Sequence, residues 1–283
     1  MQEIDESQPF GAYRPTPLQA WAHGRAQRLR RRDWIGFQLQ TSLFKLAGGK
    51  VPGAVYDVPV FGTEKARLHP TGNICEKRCY SASQFWDDEE RAFLAAALFD
   101  KNHPDTPLFL DIGSNVGLYG LALHAAARAR NEDFRILAVE PDPTLRSRLN
   151  FNYEASGVQD WSVEAVAITP EDGPVSFAID EENRGRNAIG GNTDGMSVEG
   201  VTLPSLLTGH GITRIDAMKI DIEGHEIAAL TPLFAQAERS LWPKVICVEI
   251  DDERNASPAA FCEDNGYIRE GETKMNALLR LPD

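Results

Sequence analysis

The sequence is short of most features that assign a protein at sight. Four cysteines in 283 residues are too few for a disulfide scaffold, and none forms a C-x2-C pair. Cys75 and Cys79 stand as C-x3-C, Cys247 sits in an apolar run and Cys262 is alone. All four read as reduced thiols without a zinc site. Long apolar runs are missing too. The longest, Ala92 to Phe99, is far below the roughly 20 residues that span a bilayer. It follows WDDEER, acids that suit the first turn of a helix. The N-terminal MQEIDESQPF is acidic and has no apolar signal-peptide core, which points to the cytoplasm. Basic charge is scarce: 29 Lys and Arg against 42 Asp and Glu give a net charge of −13. That is the wrong sign for a general nucleic-acid binder, which displaces counterions from phosphates. The one basic cluster, RLRRRDW from Arg28 to Trp34, reads as a solvated helix face, able to touch an anionic partner.

What is present is a rhythm. Residues 1 to about 15 are polar and read as loose. Leu18 to Leu46 follows a helical pattern, broken by GGKVPG. AVYDVPVFG and EKARLHP read as a short hairpin with Gly62 near its turn, and a helix follows from Asp87 to Phe99. From Pro107 the pattern becomes strand, helix, strand. LFLDIG, FRILAVEP and WSVEAVAIT read as the first three strands, with VGLYGLALHAAARA and PTLRSRLNFNYEASG as the helices between them. GPVSFAID adds a strand. Residues 181–197 read as a loop, and VTLPSLL starts a short helix. IDAMKIDIEG reads as a strand, HEIAAL as a helix interrupted near Pro232, and KVICVEID as a strand. PAAFCEDNG reads as a helix, and YIRE with NALLRL as a closing hairpin. Alternation of this kind builds a mostly parallel sheet with helices on both faces. The hairpin implies an antiparallel strand at or near an edge.

In such sheets the ligand lies beyond the carboxyl ends of the strands. The first strand–helix turn there is DIGSNVG, Asp111 to Gly117. A dinucleotide site wants G-x-G-x-x-G, whereas this turn has Gly113-x3-Gly117 with Asn115 in the middle, which disfavours a nicotinamide oxidoreductase. A P-loop wants a Gly-Lys-Ser/Thr that the turn lacks. Asp111 repels phosphate and favours a cation. The next strand ends in Glu140, 23 residues past Gly117, where a carboxylate accepts from ribose hydroxyls. A ribose, an ammonium group and no phosphate together describe S-adenosylmethionine (SAM), and the pattern resembles class I methyltransferases.

DIGSNVGLYG, AVEPDP, VTLPSLL, IDAMKIDIEGHE and VEID stand in the order and spacing of the FkbM family of methyltransferases, which the chain resembles from about Pro107 to Leu281. LHPTGNICEKR and FWDDEERAFL resemble the leader of one branch of that family. The resemblance implies SAM as cofactor and O-methylation of hydroxyls on sugars, polyketides and similar metabolites. Asp111, Gly113, Gly117 and Glu140 occupy the family's cofactor positions, and KIDIEG its hallmark. Ser114, Asn115 and Asp142, in the same two turns, complete the expected cofactor-binding set. The family varies at Ser114 and His225.

In AMKIDIEG, Lys219, Asp221 and Glu223 share one strand face and Met218, Ile220 and Ile222 the other. A central parallel strand is buried on both faces, so charges there are tolerated where they are paired or used. Asp221, Glu223 and His225 are therefore the catalytic candidates. Asp221 is placed to meet cofactor and acceptor. His225, at a helix start whose dipole disfavours imidazolium, is the candidate base. Glu249 and Asp251, with Asp221 and Glu223, could hold a divalent cation through oxygen, but strand-end acids are common and no metal is assigned. Arg184, Arg186 and Asn187 fall in the loop 181–197, where a substrate lid could sit.

The expectation is a Rossmann-like class I methyltransferase sandwich of the α/β class. Its seven-stranded sheet is mostly parallel with an antiparallel C-terminal strand, over residues 101–283. A mainly helical extension with a short hairpin covers residues 1–100 and helps to shape the acceptor pocket. The expected partner is a small-molecule or glycan hydroxyl acceptor, with no nucleic acid and no membrane span; self-association is left open. N-methylation of a protein or amine is the first alternative. A non-catalytic SAM-fold subunit of a biosynthetic complex is the second.

Overall fold

A computed structural model describes residues 7–30, 32–100, 105–180, 187–189, 195–250 and 257–282. The leader begins with α1 (Pro17–Ala26), where Thr16 caps the first turn by accepting from the Gln19 N–H. The helical pattern of residues 18–46 is divided. Asp33 accepts the Gly36 N–H at 2.9 Å and starts a second helix, α2 (Trp34–Leu46), because a side-chain cap satisfies an orphan first-turn donor. The hairpin follows as β1 (Tyr56–Val60) and β2 (Glu64–Leu68), with Gly62 at φ 91° in its turn. A helix that the apolar pattern did not signal comes next: α3 (Ile74–Ala82), capped by Asn73, which accepts from the Cys75 and Glu76 N–H groups. Then α4 (Asp88–Leu98) carries Asp88, Glu89 and Glu90 in its first turn, favourable at the positive end of the helix dipole.

The remaining elements are β3 (Leu108–Ile112), α5 (Leu118–Arg130), β4 (Arg135–Val139), α6 (Pro143–Ser156), β5 (Trp161–Glu164), β6 (Val166–Ile168), β7 (Gly173–Ala178), β8 (Ala188–Ile189), β9 (Met196–Val201), α7 (Leu203–Gly209), β10 (Ala217–Ile220), α8 (Glu226–Gln236), β11 (Val245–Glu249), α9 (Pro258–Asp264), β12 (Ile268–Glu272) and β13 (Asn276–Arg280). Seven strands form the main sheet in the order β12-β13-β11-β10-β3-β4-β5. β3 is parallel to both β4 and β10, which lie on either side of it. The crevice beyond its carboxyl end is therefore a switch point in strand order. β13 alone runs antiparallel, between β11 and β12. No helix among the described residues is long and apolar enough to cross a membrane.

Alternation along the strands divides the core by faces. Leu108, Leu110, Ile112, Met218, Ile220, Ile246 and Val248 pack with α7, α8 and α9. Phe109, Ile136, Ala138, Ala217, Val245 and Cys247 pack on the other side with α5 and α6, in the same cluster as the leader's Ala22, Phe44, Tyr80, Leu94 and Leu98. The leader thus closes one face of the sheet.

Three further elements, from β5 onward, differ from the sequence reading. The strand expected over WSVEAVAIT is split: β5 ends the main sheet, and β6 joins a second sheet in the order β6-β9-β7-β8. That second sheet uses β8 and the start of β9 from the stretch expected to be all loop. Helix α8 runs through Pro232, because Ala229, Leu230, Pro232 and Leu233 are all buried, and that packing outweighs one missing N–H.

One buried ion pair ties the leader together. Arg67 Nε donates to Asp57 Oδ1 at 2.8 Å, both side chains being 0% exposed. The same guanidinium lies 3.9 Å from the Phe151 ring centroid of α6 and donates to the Gln8 carbonyl at 2.9 Å. Asp57→Ala leaves that cation buried without its carboxylate. It is expected to destabilise the protein by about 3–5 kcal/mol, seen as a lower urea midpoint with an unchanged slope.

Candidate active site

The turn after β3 is shaped by backbone that few residues adopt. Gly113, Asn115 and Gly117 have φ of 75°, 53° and 78°. A Cβ on Gly113 would stand 1.9 Å from the Asp221 carbonyl oxygen, and one on Gly117 would stand 2.6 Å from Tyr153. Glycine at the first position lets the turn meet the end of β10; at the second it lets α5 start against α6. The Gly113 and Ser114 N–H groups both donate to the Val139 carbonyl, at 3.0 and 3.1 Å.

The acid at the end of β4 holds two turns. Glu140 Oε2 accepts the Asn115 N–H at 2.8 Å and Oε1 accepts the Asp142 N–H at 2.9 Å. Burial pushes its carboxyl up to about 8, against those two bonds, which favour the ionised form. Asn115 Oδ1 accepts from Asn73 Nδ2 at 2.7 Å, so the α3 cap of the leader touches the same turn. Asp142 is buried as the α6 N-cap; its Oδ1 accepts from Thr144 at 2.7 Å and its Oδ2 from Asn187 Nδ2 at 2.8 Å. That latch places Asn187, from the expected lid, against the β4 turn. Arg184, Arg186 and Asp251 lie outside the described residues.

These turns open onto a cavity of about 440 Å³. Glu140 lines it beyond β4, Lys219, Asp221, Glu223 and Glu249 line it beyond β10 and β11, and the β3 turn of Gly113, Ser114 and Asn115 lies between them. Asp111, Gly117 and Asp142 stand behind its wall. Asp111 is buried, its Oδ2 has no hydrogen-bond partner among the described residues, and burial pushes its carboxyl up to about 7, with the Lys219 ammonium opposing. Lys219 Nζ donates to Asp221 Oδ2 at 2.9 Å. Burial disfavours that ammonium, but Asp221 more than offsets it and the lysine pKa is raised. Asp221, Glu223 and Glu249 each bring a carboxylate oxygen within 4.8 Å of the others. Glu223 holds φ 54° in the turn after β10. Burial, then Asp221 and Glu223, push Glu249 up to about 8.

His225 is not brought to this cavity. Its Nε2 lies 3.0 Å from the Ile189 carbonyl, to which it donates, and its ring lines a separate, smaller depression with Thr169 and Val175. The leader supplies Cys75, Arg78, Trp86 and Asp87 to the main cavity wall. Arg78 donates to Asp87 Oδ1 at 2.6 Å and Tyr119 Oη to Asp87 Oδ2 at 3.1 Å. No sequence motif singles out these groups. The only local signal for them was the acid run around Asp87, which reads as an ordinary helix start.

A ligand with a ribose and a cationic centre fits this donor set. Glu140 keeps lone pairs beyond the two N–H groups it accepts, the Gly113 backbone is uncovered by a side chain, and carboxylates stand at the far end. Gly113→Ala combines positive φ with a backbone collision and is expected to cost about 1–3 kcal/mol, measured as a lower melting temperature. The raised Glu140 carboxyl gives a second expectation. The folded state keeps a proton that the unfolded state releases, so its stabilisation is full below the ordinary 4.5 and lost as pH rises through about 8. Urea midpoints compared at about pH 5 and about pH 8 are expected to differ less in Glu140→Gln than in the wild type.

The family model for the methyltransferase FkbM domain matches residues 111–270. No curated protein sequence matches the chain. Among solved structures, a SAM-dependent methyltransferase from Agrobacterium tumefaciens is 10% identical at TM-score 0.45, covering 81% of this chain and 70% of that one. A precorrin-6y C5,15-methyltransferase from Geobacter metallireducens is 14% identical at TM-score 0.41, covering 69% and 89%. A 16S rRNA N2 G1207 methyltransferase from T. thermophilus, in complex with AdoMet and guanosine, is 14% identical at TM-score 0.43, covering 81% and 50%. Likenesses of this size carry no argument about substrate. The family match spans more than half of the 283 residues, and the chain therefore belongs to the FkbM family of SAM-dependent methyltransferases.

Proposed function

We propose that the protein is an O-methyltransferase acting on a hydroxyl of a sugar, polyketide or related metabolite. SAM, when bound, supplies an electrophilic methyl group. The chain supplies position and charge. In this reading Glu140 accepts the ribose hydroxyls, while Gly113, Ser114 and Asn115 form the wall beside them. Asp111, Gly117 and Asp142 act from behind, shaping the two turns. Arg78, Trp86 and Asp87 of the leader line the acceptor side, which supports a leader that helps to select the acceptor.

The observation that carries the hydroxyl acceptor is the group of three carboxylates, Asp221, Glu223 and Glu249, at the cavity end away from Glu140. An aliphatic hydroxyl is barely ionised at neutral pH and needs a base within reach. Asp221 is held by Lys219, and the His225 ring is turned to Ile189. Glu249, with its carboxyl pushed up to about 8, has the basicity for the task. Glu249 thus takes the hydroxyl proton, Asp221 orients, and Glu223 holds up the basicity of Glu249. The same three acids also attract an ammonium, which favours N-methylation of an amine as the second reading.

Turnover is expected to rise with pH through about 8, as Glu249 ionises, and then to level off. Glu249→Gln is expected to lower kcat by about 10²–10⁴-fold, with SAM affinity by calorimetry little changed and His225→Ala near wild type. Full turnover in Glu249→Gln with loss in His225→Ala would return the base to the histidine. An acceptor panel of matched hydroxyl and amino sugars separates the two readings: methyl transfer to the amine alone would overturn the O-acceptor.

A further inference from the structure

The leader carries a surface that the methyltransferase reaction does not use. Among the described residues, large exposed apolar side chains gather on its first two helices: Leu18 and Trp21 on α1, and Trp34, Ile35, Phe37, Leu39 and Leu46 on α2. Trp34 is 73% exposed. On α1, Leu18, Trp21 and Arg25 follow i, i+3, i+7 and share one face, while Ala22, His23 and Ala26 bury the other. On α2, Ile35, Leu39 and Leu46 follow i, i+4, i+11 along one outward stripe, while Gly36, Leu43 and Phe44 are buried. Each helix thus presents an amphipathic face away from the core.

Charge separates in the same place. From Ser7 to Tyr56 the sequence has eight Lys and Arg against a single acid, Asp33, in a chain of net charge −13. Asp33 is already the α2 cap. Arg32 pairs with Asp88, while Arg25, Arg28 and Arg30 are exposed around the α1–α2 connection. The rest of the chain is strongly acidic.

We infer that the α1–α2 face docks the protein on an anionic phospholipid bilayer. Tryptophans settle at headgroup depth, aliphatic side chains below them, and arginines meet phosphate and anionic headgroups. The acidic remainder is repelled by the same surface, so only this face can approach, and the protein lies on the bilayer in one orientation. At 10 and 13 residues the helices lie on a bilayer and do not span one. A two-fold contact with a second copy would set the arginines against themselves. A nucleic acid has no use for Ile35, Leu39 and Leu46.

The test is sedimentation of the full chain with vesicles of phosphatidylcholine alone and of phosphatidylcholine with phosphatidylglycerol. Binding is expected to the anionic vesicles, at least about tenfold tighter than to the neutral ones, and to weaken with salt. The double variant Arg28→Glu/Arg30→Glu is expected to lose about tenfold or more, and Trp34→Ser/Ile35→Ser a similar factor. Because all four side chains are exposed, SAM affinity and circular dichroism should stay as in the wild type. Wild-type protein left in the supernatant with anionic vesicles, or bound equally to both kinds, overturns the inference. So does a wild-type dimer in light scattering that Trp34→Ser/Ile35→Ser converts to monomer while vesicle binding is unaffected.

Discussion

Lys219 stands on the central strand β10 at 2% exposure, in register with Asp111 of β3 and 2.9 Å from the carboxylate of Asp221. An ammonium taken out of water costs several kcal/mol unless a charge repays it. Asp221 must therefore stay at the end of its strand, close to the Lys219 Nζ. That fixes the turn after β10, where Glu223 takes a left-handed backbone and Gly113 comes up against the Asp221 carbonyl. The Tyr119 ring lies 5.4 Å from the same ammonium, and its hydroxyl reaches Asp87 of the leader. From one buried cation, the contacts run to both strand ends of the cavity and out into the N-terminal helices.

Parts of this were legible in the sequence because they are local. The Gly113-x3-Gly117 turn and Glu140 lie within one strand–helix–strand unit, where short spacing and the need for positive φ leave few alternatives. The mostly parallel sheet followed from the alternation of elements, and the antiparallel β13 from a terminal hairpin. What sequence did not disclose is non-local. Arg78, Trp86 and Asp87 join the cavity from more than twenty residues before β3, through packing that no periodicity encodes. His225 has the right neighbours in sequence, but its ring is taken by the Ile189 carbonyl of a strand that read as loop. Pro232 reads as a break by local rules, yet the buried side of α8 overrides it.

The leader and the second sheet both line the cavity, each sharing the core on one face of the main sheet. The leader shares a hydrophobic core with the main sheet, through Phe44, Tyr80 and Leu98 beside Phe109 and Leu121, and adds the Asn73–Asn115 bond at the cavity turn. The second sheet meets the β4 turn through the Asn187–Asp142 hydrogen bond, packs Ile168, Val166 and Val201 into the core on the other face of the main sheet, and is joined to that sheet where the chain passes from β5 to β6. Both walls thus rest on buried apolar area, and each adds a polar bond to a cavity turn.

Cys75 on the leader wall shows what that burial does to reactivity. A thiolate in an alkylating pocket would be a sink for the very group the pocket exists to hand on. Burial, then the nearby Asp221 and Asp87, push this thiol up to about 12, which favours the thiol over the thiolate near neutral pH. The wall can present sulfur to a reactive methyl donor and remain a bystander. The acids that gather beside it also keep the protein from modifying itself.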